Sequence, residues 1–152
     1  LGVTLDPATK GPVCDQQYMT DVDGIYCAGN ALHVNDLVDY VSECAAEAGR
    51  NSAGYQPGKR EWIPVTPKEG VSYVVPSRLN LRGASDHVTV YFRASREIRN
   101  ARLKVTADGQ VVSEKRFSVV RPPEMERLVM DFSGKNLGKD SEICFSLEEV
   151  PK

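Results

Sequence analysis

The residues best suited to chemistry lie in one run, Thr20-Asp21-Val22-Asp23-Gly24-Ile25-Tyr26-Cys27-Ala28-Gly29-Asn30. A polar lead-in reaches a turn at Asp23-Gly24, and a short buried strand is predicted from Ile25 to Ala28. Gly29 and Asn30 then stand at the strand's end. A glycine there lets another molecule's backbone or phosphate come close. The amide beside it can bond a hydroxyl. A helix predicted to open a few residues later adds free N–H groups and a partial positive charge. Strand, glycine, polar residue and helix together suit a polyhydroxylated, anionic cofactor.

His33 lies between this corner and the helix. A histidine there can relay a proton to a bound ring or a substrate. The plainer alternative is a loop histidine that fixes the turn by a backbone bond. The elements that must position these residues follow from pattern. Asn35 or Asp36 is expected to cap the helix. Leu37, Val41, Cys44 and Ala48 fall at i, i+4, i+7 and i+11, an apolar stripe widened by Val38 and Ala45. Asp39, Glu43 and Glu47 form another face, expected to be solvated. Ala45-Ala46 and Ala48-Gly49 are small enough for tight packing on a strand layer. His87 opens a strand and is read as structural or exposed.

The chain divides near Tyr55. Gln56-Pro57-Gly58-Lys59-Arg60 reads as a polar linker with turn residues. Beyond it the pattern is β. Val71, Tyr73 and Val75 alternate before Pro76, and Val88, Val90 and Phe92 alternate with Thr89, Tyr91 and Arg93. Leu103, Val105 and Ala107 run into Asp108-Gly109, a two-residue hairpin signal, and the return strand passes Val111-Val112 to Phe117. Leu128, Met130 and Phe132 make another inward row, and Ile143, Phe145 and Leu147 a last one. Short strands with turns between them predict an immunoglobulin-like β-sandwich over 56–152. The fold class expected is therefore α+β. Trp62 is expected to anchor the linker or to meet a partner. Pro122-Pro123 is expected to stiffen a turn between strands. No paired carboxylates, activated nucleophile or phosphate loop stands out in this part, which reads as an accessory or interaction module.

The 152 residues are enough to bury a core, and 26% of them are charged with a net charge of −2. Lys and Arg are scattered among Asp and Glu, which argues against a nucleic-acid surface. No apolar run reaches membrane-spanning length, and no signal-peptide pattern opens the chain. Cys14, Cys27, Cys44 and Cys144 form neither a Cys-x-x-Cys pair nor a zinc-spaced cluster. They read as small buried hydrophobes, in keeping with reduced thiols and a cytoplasmic setting.

Thr20, Gly24-Ile25-Tyr26 and Ala28-Gly29-Asn30 together resemble the second flavin-binding motif of FAD-dependent pyridine-nucleotide oxidoreductases, in the disulfide-oxidoreductase-like superfamily. Leu5 to Val13 resembles that family's lead-in hairpin, and Leu32 to Ser42, ending in Ala48-Gly49-Arg50, its following helix. Tyr73-Val74-Val75-Pro76 and Arg121 to Met125 resemble the C-terminal β extension of some members. The family motif normally ends in Gly-Asp; Asn30 keeps an acceptor oxygen, loses the charge and adds donors. The resemblance implies bound FAD and NAD(P)H, with Gly29, Asn30, His33, Leu37 and Val38 at the flavin and no assigned catalytic residue besides the candidate His33.

The family's Gly-x-Gly-x-x-Gly fingerprint is missing, and Gly109, Gly134 and Gly138 do not supply it. The chain begins Leu1-Gly2-Val3. The expectation is thus the C-terminal part of a longer flavoprotein, inactive alone. Residues 1–55 would close an FAD domain, and 56–152 would form an accessory sandwich that contacts the missing domains, a second copy or a partner subunit. The alternative is a non-catalytic binding module in which the β part does the work.

Overall fold

A computed structural model describes residues 1–151. After an irregular N-terminal segment come helix α1 (Val38–Ala53) and strands β1 (Trp62–Pro67), β2 (Val71–Val75), β3 (Arg78–Asn80), β4 (Val88–Ala94), β5 (Ile98–Ala107), β6 (Gln110–Val120), β7 (Met125–Met130) and β8 (Ile143–Glu149). The fold is mixed α and β, and mostly β. The strands form one sheet in the order β3-β1-β8-β5-β6 and a smaller one in the order β2-β4-β7. β1 runs parallel to β8; the other pairings are antiparallel.

Alternation explains the larger sheet. Ala101, Leu103 and Val105 of β5 point inward, while Arg102 and Lys104 reach Glu148 on the outer face. The β5–β6 turn holds Asp108 at φ 50° and Gly109 at φ 80°, the left-handed pair that a two-residue hairpin requires. Inward residues of both sheets share one core. Phe92 of β4 lies at its centre, with ring centroids 6.2 Å from Phe117 and 6.4 Å from Phe145.

The smaller sheet is covered on its other face too. Tyr73, Val75, Tyr91 and Met125 pack there against Cys14, Tyr18, Leu32, Cys44 and Ala48. The first 55 residues and the β-rich part are therefore joined by a common apolar layer rather than only by the linker. Trp62 adds a second tie: its Nε1 donates to buried Asp15 Oδ2 at 3.2 Å, and the Arg78 guanidinium lies 4.8 Å from its ring centroid.

Several expectations need correction. Ile25 to Ala28 is not a buried strand: only Tyr26 bridges, to Met19, and all four residues are half-exposed. Its pairing with the Tyr18–Thr20 run stops at this one bridge and two backbone bonds, so apolar composition alone does not make it a strand. The helix opens at Val38, and neither Asn35 nor Asp36 caps it; Leu37 occupies the cap position in an extended conformation. Of the predicted stripe, Cys44 and Ala48 are buried, but Leu37 and Val38 are exposed, as are Ala45 and Ala46. Glu43 reaches the sheet while its side chain stays partly exposed. It accepts from Tyr91 Oη at 3.2 Å and from Arg127 Nε at 2.9 Å, with Arg127 Nη2 on its second oxygen. β1 and β3 were not expected, since Pro64 and Pro67 break the strand pattern of β1. Among the described residues no helix is long and apolar enough to cross a membrane.

Phe92 is fully buried between the sheets. Phe92→Ala should lower unfolding stability by about 3–5 kcal/mol in urea denaturation. A loss below about 1 kcal/mol would show that this ring does not hold the sheets together.

Candidate functional site

The corner begins with Gly29, which is buried at φ 65°. A Cβ there would lie 3.2 Å from Val41 Cγ1. Gly29 N–H donates to Cys44 Sγ at 3.1 Å, and its carbonyl accepts from Leu32 and His33 N–H at 3.0 and 3.3 Å. A short 3-10 turn, Gly29–Ala31, results. Helix α1 thus holds the corner through Val41 and Cys44. Only a residue at ease in the left-handed region fits this position.

Asn30 is exposed beside it. Its Oδ1 accepts from Asn35 N–H at 3.1 Å and from Asn35 Nδ2 at 3.3 Å. The oxygen is therefore committed to the loop. Among the described residues nothing engages Asn30 Nδ2, so the donor end is free for a hydroxyl or carbonyl.

His33 turns the other way. It is 1% exposed, with its ring 5.2 Å from that of Tyr91 and 6.0 Å from that of Tyr73. Neither ring nitrogen has a hydrogen-bond partner, so the turn-fixing backbone bond is not made. The turn is held instead by Asn35 Nδ2, which donates to His33 O at 2.9 Å. Burial, reinforced by the Arg93 charge and opposed by Asp36, lowers the imidazole pKa from 6.5 to about 4. The ring is neutral at neutral pH. Asn35 Oδ1 is buried without a partner as well. All the buried, unpartnered side-chain polar atoms among the described residues thus belong to His33 and Asn35.

Asp36 is drawn across to the β-rich part. Its Oδ1 accepts from Arg93 Nη2 at 2.5 Å and its Oδ2 from Met125 N–H at 2.5 Å. Arg93 Nη2 also donates to Val34 O at 3.1 Å, and Nε to Tyr73 Oη at 2.8 Å. With Asp36 engaged elsewhere and Asn35 Oδ1 buried, no side chain among the described residues accepts from the first-turn amides of α1. Val34, Leu37 and Val38 stand exposed at 66%, 52% and 76% around that helix end. Below the loop, a cleft of about 390 Å³ is lined by His33, Tyr73, Arg93 and the Pro122-Pro123 turn.

The structure thus leaves Asn30, Leu37 and Val38 exposed on either side of the Val34–Asp36 loop, with Gly29 and His33 buried beneath it. Arg93 and Tyr73 were not anticipated. Arg93 is 57 positions from its carboxylate, and its alternation in β4 reads as an ordinary outward charge. Burial raises the thiol pKa of Cys14, Cys27 and Cys44, and all of the cysteines are free, which fits packing rather than reactivity. His87 is exposed just before β4. No metal-holding group of His, Cys, Asp or Glu occurs among the described residues.

The His33 geometry makes a testable statement about pH. The folded pKa, about 4, lies below the ordinary 6.5, so the unfolded chain binds the proton first. Stability should fall as pH drops from about 6.5 toward about 4, then level off. His33→Phe should flatten this window in urea denaturation at a series of pH values; an unchanged slope would mean the ring is solvated and titrates normally. Comparison with protein-family models, curated proteins and solved structures returns no match for this chain.

Proposed function

We propose that this chain is the C-terminal part of a flavoprotein oxidoreductase that passes hydride or electrons between NAD(P)H and an acceptor. The Gly29-Asn30 corner and the start of α1 would form one wall of the FAD site. The observation that carries this reading is the diversion of both natural caps. Asp36 gives both oxygens to Arg93 and Met125 N–H, and Asn35 Oδ1 is buried without a partner. Tyr40 N–H donates to Leu37 O, so Val38 and Asp39 N–H are the first-turn amides left without an acceptor side chain beside exposed Asn30. The positive end of the helix dipole favours an electron-rich ring edge at that place.

Other features fit the group. Left-handed Gly29 carries no side chain into the corner, Asn30 offers two free N–H donors, and Leu37 and Val38 offer apolar surface to a flat ring. The buried unpartnered atoms in the same loop are the kind of local cost that functional sites carry. Bound flavin would supply acceptance and release of hydride. The chain's own residues bind and orient it: the amides of α1 favour negative charge on the ring, and Asn30 holds a hydroxyl of the side chain. His33 enters as the underside of the loop and not as a proton carrier, because both nitrogens are enclosed. The remaining contacts, including the dinucleotide fingerprint and the nicotinamide site, would come from polypeptide preceding this chain. The same reading takes the two sheets as an immunoglobulin-like sandwich. Two mainly antiparallel sheets around one core support that, although their five-and-three division differs from the family's constant-type arrangement.

One observation favours the second reading, a non-catalytic binding module. Among the described residues β6 pairs only with β5, so its other edge is open to strand addition. Lys115, at the middle of β6, projects over Phe117 at 5.0 Å and works against such pairing.

Flavin titration separates the two. This chain alone should bind FAD only weakly, above micromolar, because few contacts offset the ordering of a large ligand. A longer polypeptide that adds the fingerprint should purify with visible flavin absorbance. In it, Asn30→Leu should lose about 1–3 kcal/mol of flavin affinity, whereas Asn30→Asp, which keeps the loop acceptor, should lose less. A colourless longer protein, or equal occupancy in Asn30→Leu, would rule the flavin site out.

A further inference from the structure

We infer that Arg93 is a positioning residue for the candidate flavin site; this rests on the flavin reading above and deepens it. Arg93 projects from β4 and its side chain is only 12% exposed. Its guanidinium joins three separate segments. Nε donates to Tyr73 Oη of β2, Nη2 to Val34 O and Asp36 Oδ1 of the loop before α1, and Nη1 to Pro122 O and Pro123 O of the β6–β7 turn. The planar, forked cation is suited to such simultaneous donation, and a lysine ammonium is not.

The consequence reaches the helix end. Asp36 stands two residues before Val38, one residue outside the cap position held by Leu37, where a carboxylate is favoured by the positive end of the helix. Arg93 and Met125 N–H take both of its oxygens instead. One side chain of the β-rich part therefore sets the path of the Val34–Leu37 loop and keeps the start of α1 uncapped. Arg93 itself lies on the buried side of that loop and lines the same cleft as His33. It acts through the loop, and touches no ligand.

The β-rich part is then integral to the site. Its sheet fixes Arg93, Arg93 fixes Asp36, and Asp36 fixes where Leu37 and Val38 present their amides. Without the guanidinium, the loop loses its carbonyl contacts and Asp36 is free to swing onto the helix end it now leaves open.

Two measurements test this. In the ligand-free chain, exchange of the hydrogen-bonded loop amides of Leu32, His33 and Asn35 should quicken roughly tenfold in Arg93→Met and less in Arg93→Lys, while the β5–β8 amides stay protected. Asp36→Asn, which keeps size and an acceptor, should quicken the same amides and serves if Arg93→Met fails to fold. In the flavin-holding longer polypeptide, Arg93→Met should weaken FAD roughly tenfold at an unchanged urea midpoint, with partial rescue by Arg93→Lys. Unchanged exchange in both Arg93→Met and Asp36→Asn would overturn the Arg93 inference alone, as would faster exchange with undiminished flavin affinity. A wild-type longer polypeptide that takes up no flavin would overturn the flavin reading and, with it, this inference.

Discussion

Burial of β4 on both faces is the constraint on which the rest of the molecule depends. Val90 and Phe92 enter the core between the sheets, while Tyr91 and Arg93 point to the opposite side, beneath the N-terminal segment and α1. A strand packed on both sides admits no slip in register, because a shift of one residue would exchange Phe92 with Tyr91 or Arg93. The outer residues are amphipathic. Their stems fill the apolar layer and their polar tips reach the helix side, Tyr91 to Glu43 and Arg93 to Asp36.

Two ion pairs therefore frame the start of α1, Asp36–Arg93 before it and Glu43–Arg127 one turn inside. Each joins the loop or helix to the smaller sheet. Their contribution to overall stability is modest, since the carboxylate of each pair remains partly in water and the pairing gains little over hydration. Their effect is on orientation: the apolar layer sets how far the helix sits from the sheet, and the charges set how the helix and its leading loop are turned. That explains how Leu37 and Val38 come to stand outward despite belonging to the apolar stripe in sequence. Asn35, Asp36 and His33 carry the local cost as buried polar atoms without partners and as an unused cap, and the well-packed layers beneath offset it.

Much of the fold can be read from the chain because its β part obeys short-range rules. Val88 to Phe92, Leu103 to Ala107 and Ile143 to Leu147 alternate cleanly, and Asp108-Gly109 closes its hairpin as the dipeptide predicts. The helix was legible from its period, and its start only within a few residues. β1 was hidden by Pro64 and Pro67, which a strand bordering the short β3 tolerates. The Ile25–Ala28 segment misled in the other direction, since its composition suits a strand that no neighbour completes. Within the candidate site, Gly29 and Asn30 stand out in the chain by their order and spacing, while Leu37 and Val38 enter through the family resemblance. Arg93, Tyr73 and the true partners of Asp36 do neither, because they are separated from the loop by dozens of residues and follow no local pattern.

Local sequence by itself determined where strands alternate, where the chain turns at Asp108-Gly109, and which stretch is helical. These depend on backbone sterics and on the repeat of apolar residues along one element. Tertiary structure alone decided which faces of α1 are buried, that His33 turns inward, and that Asp36 abandons the helix it precedes. Those outcomes depend on charge and packing brought together across the fold, and Arg93 meets Asp36 only because β4 is already held between two layers.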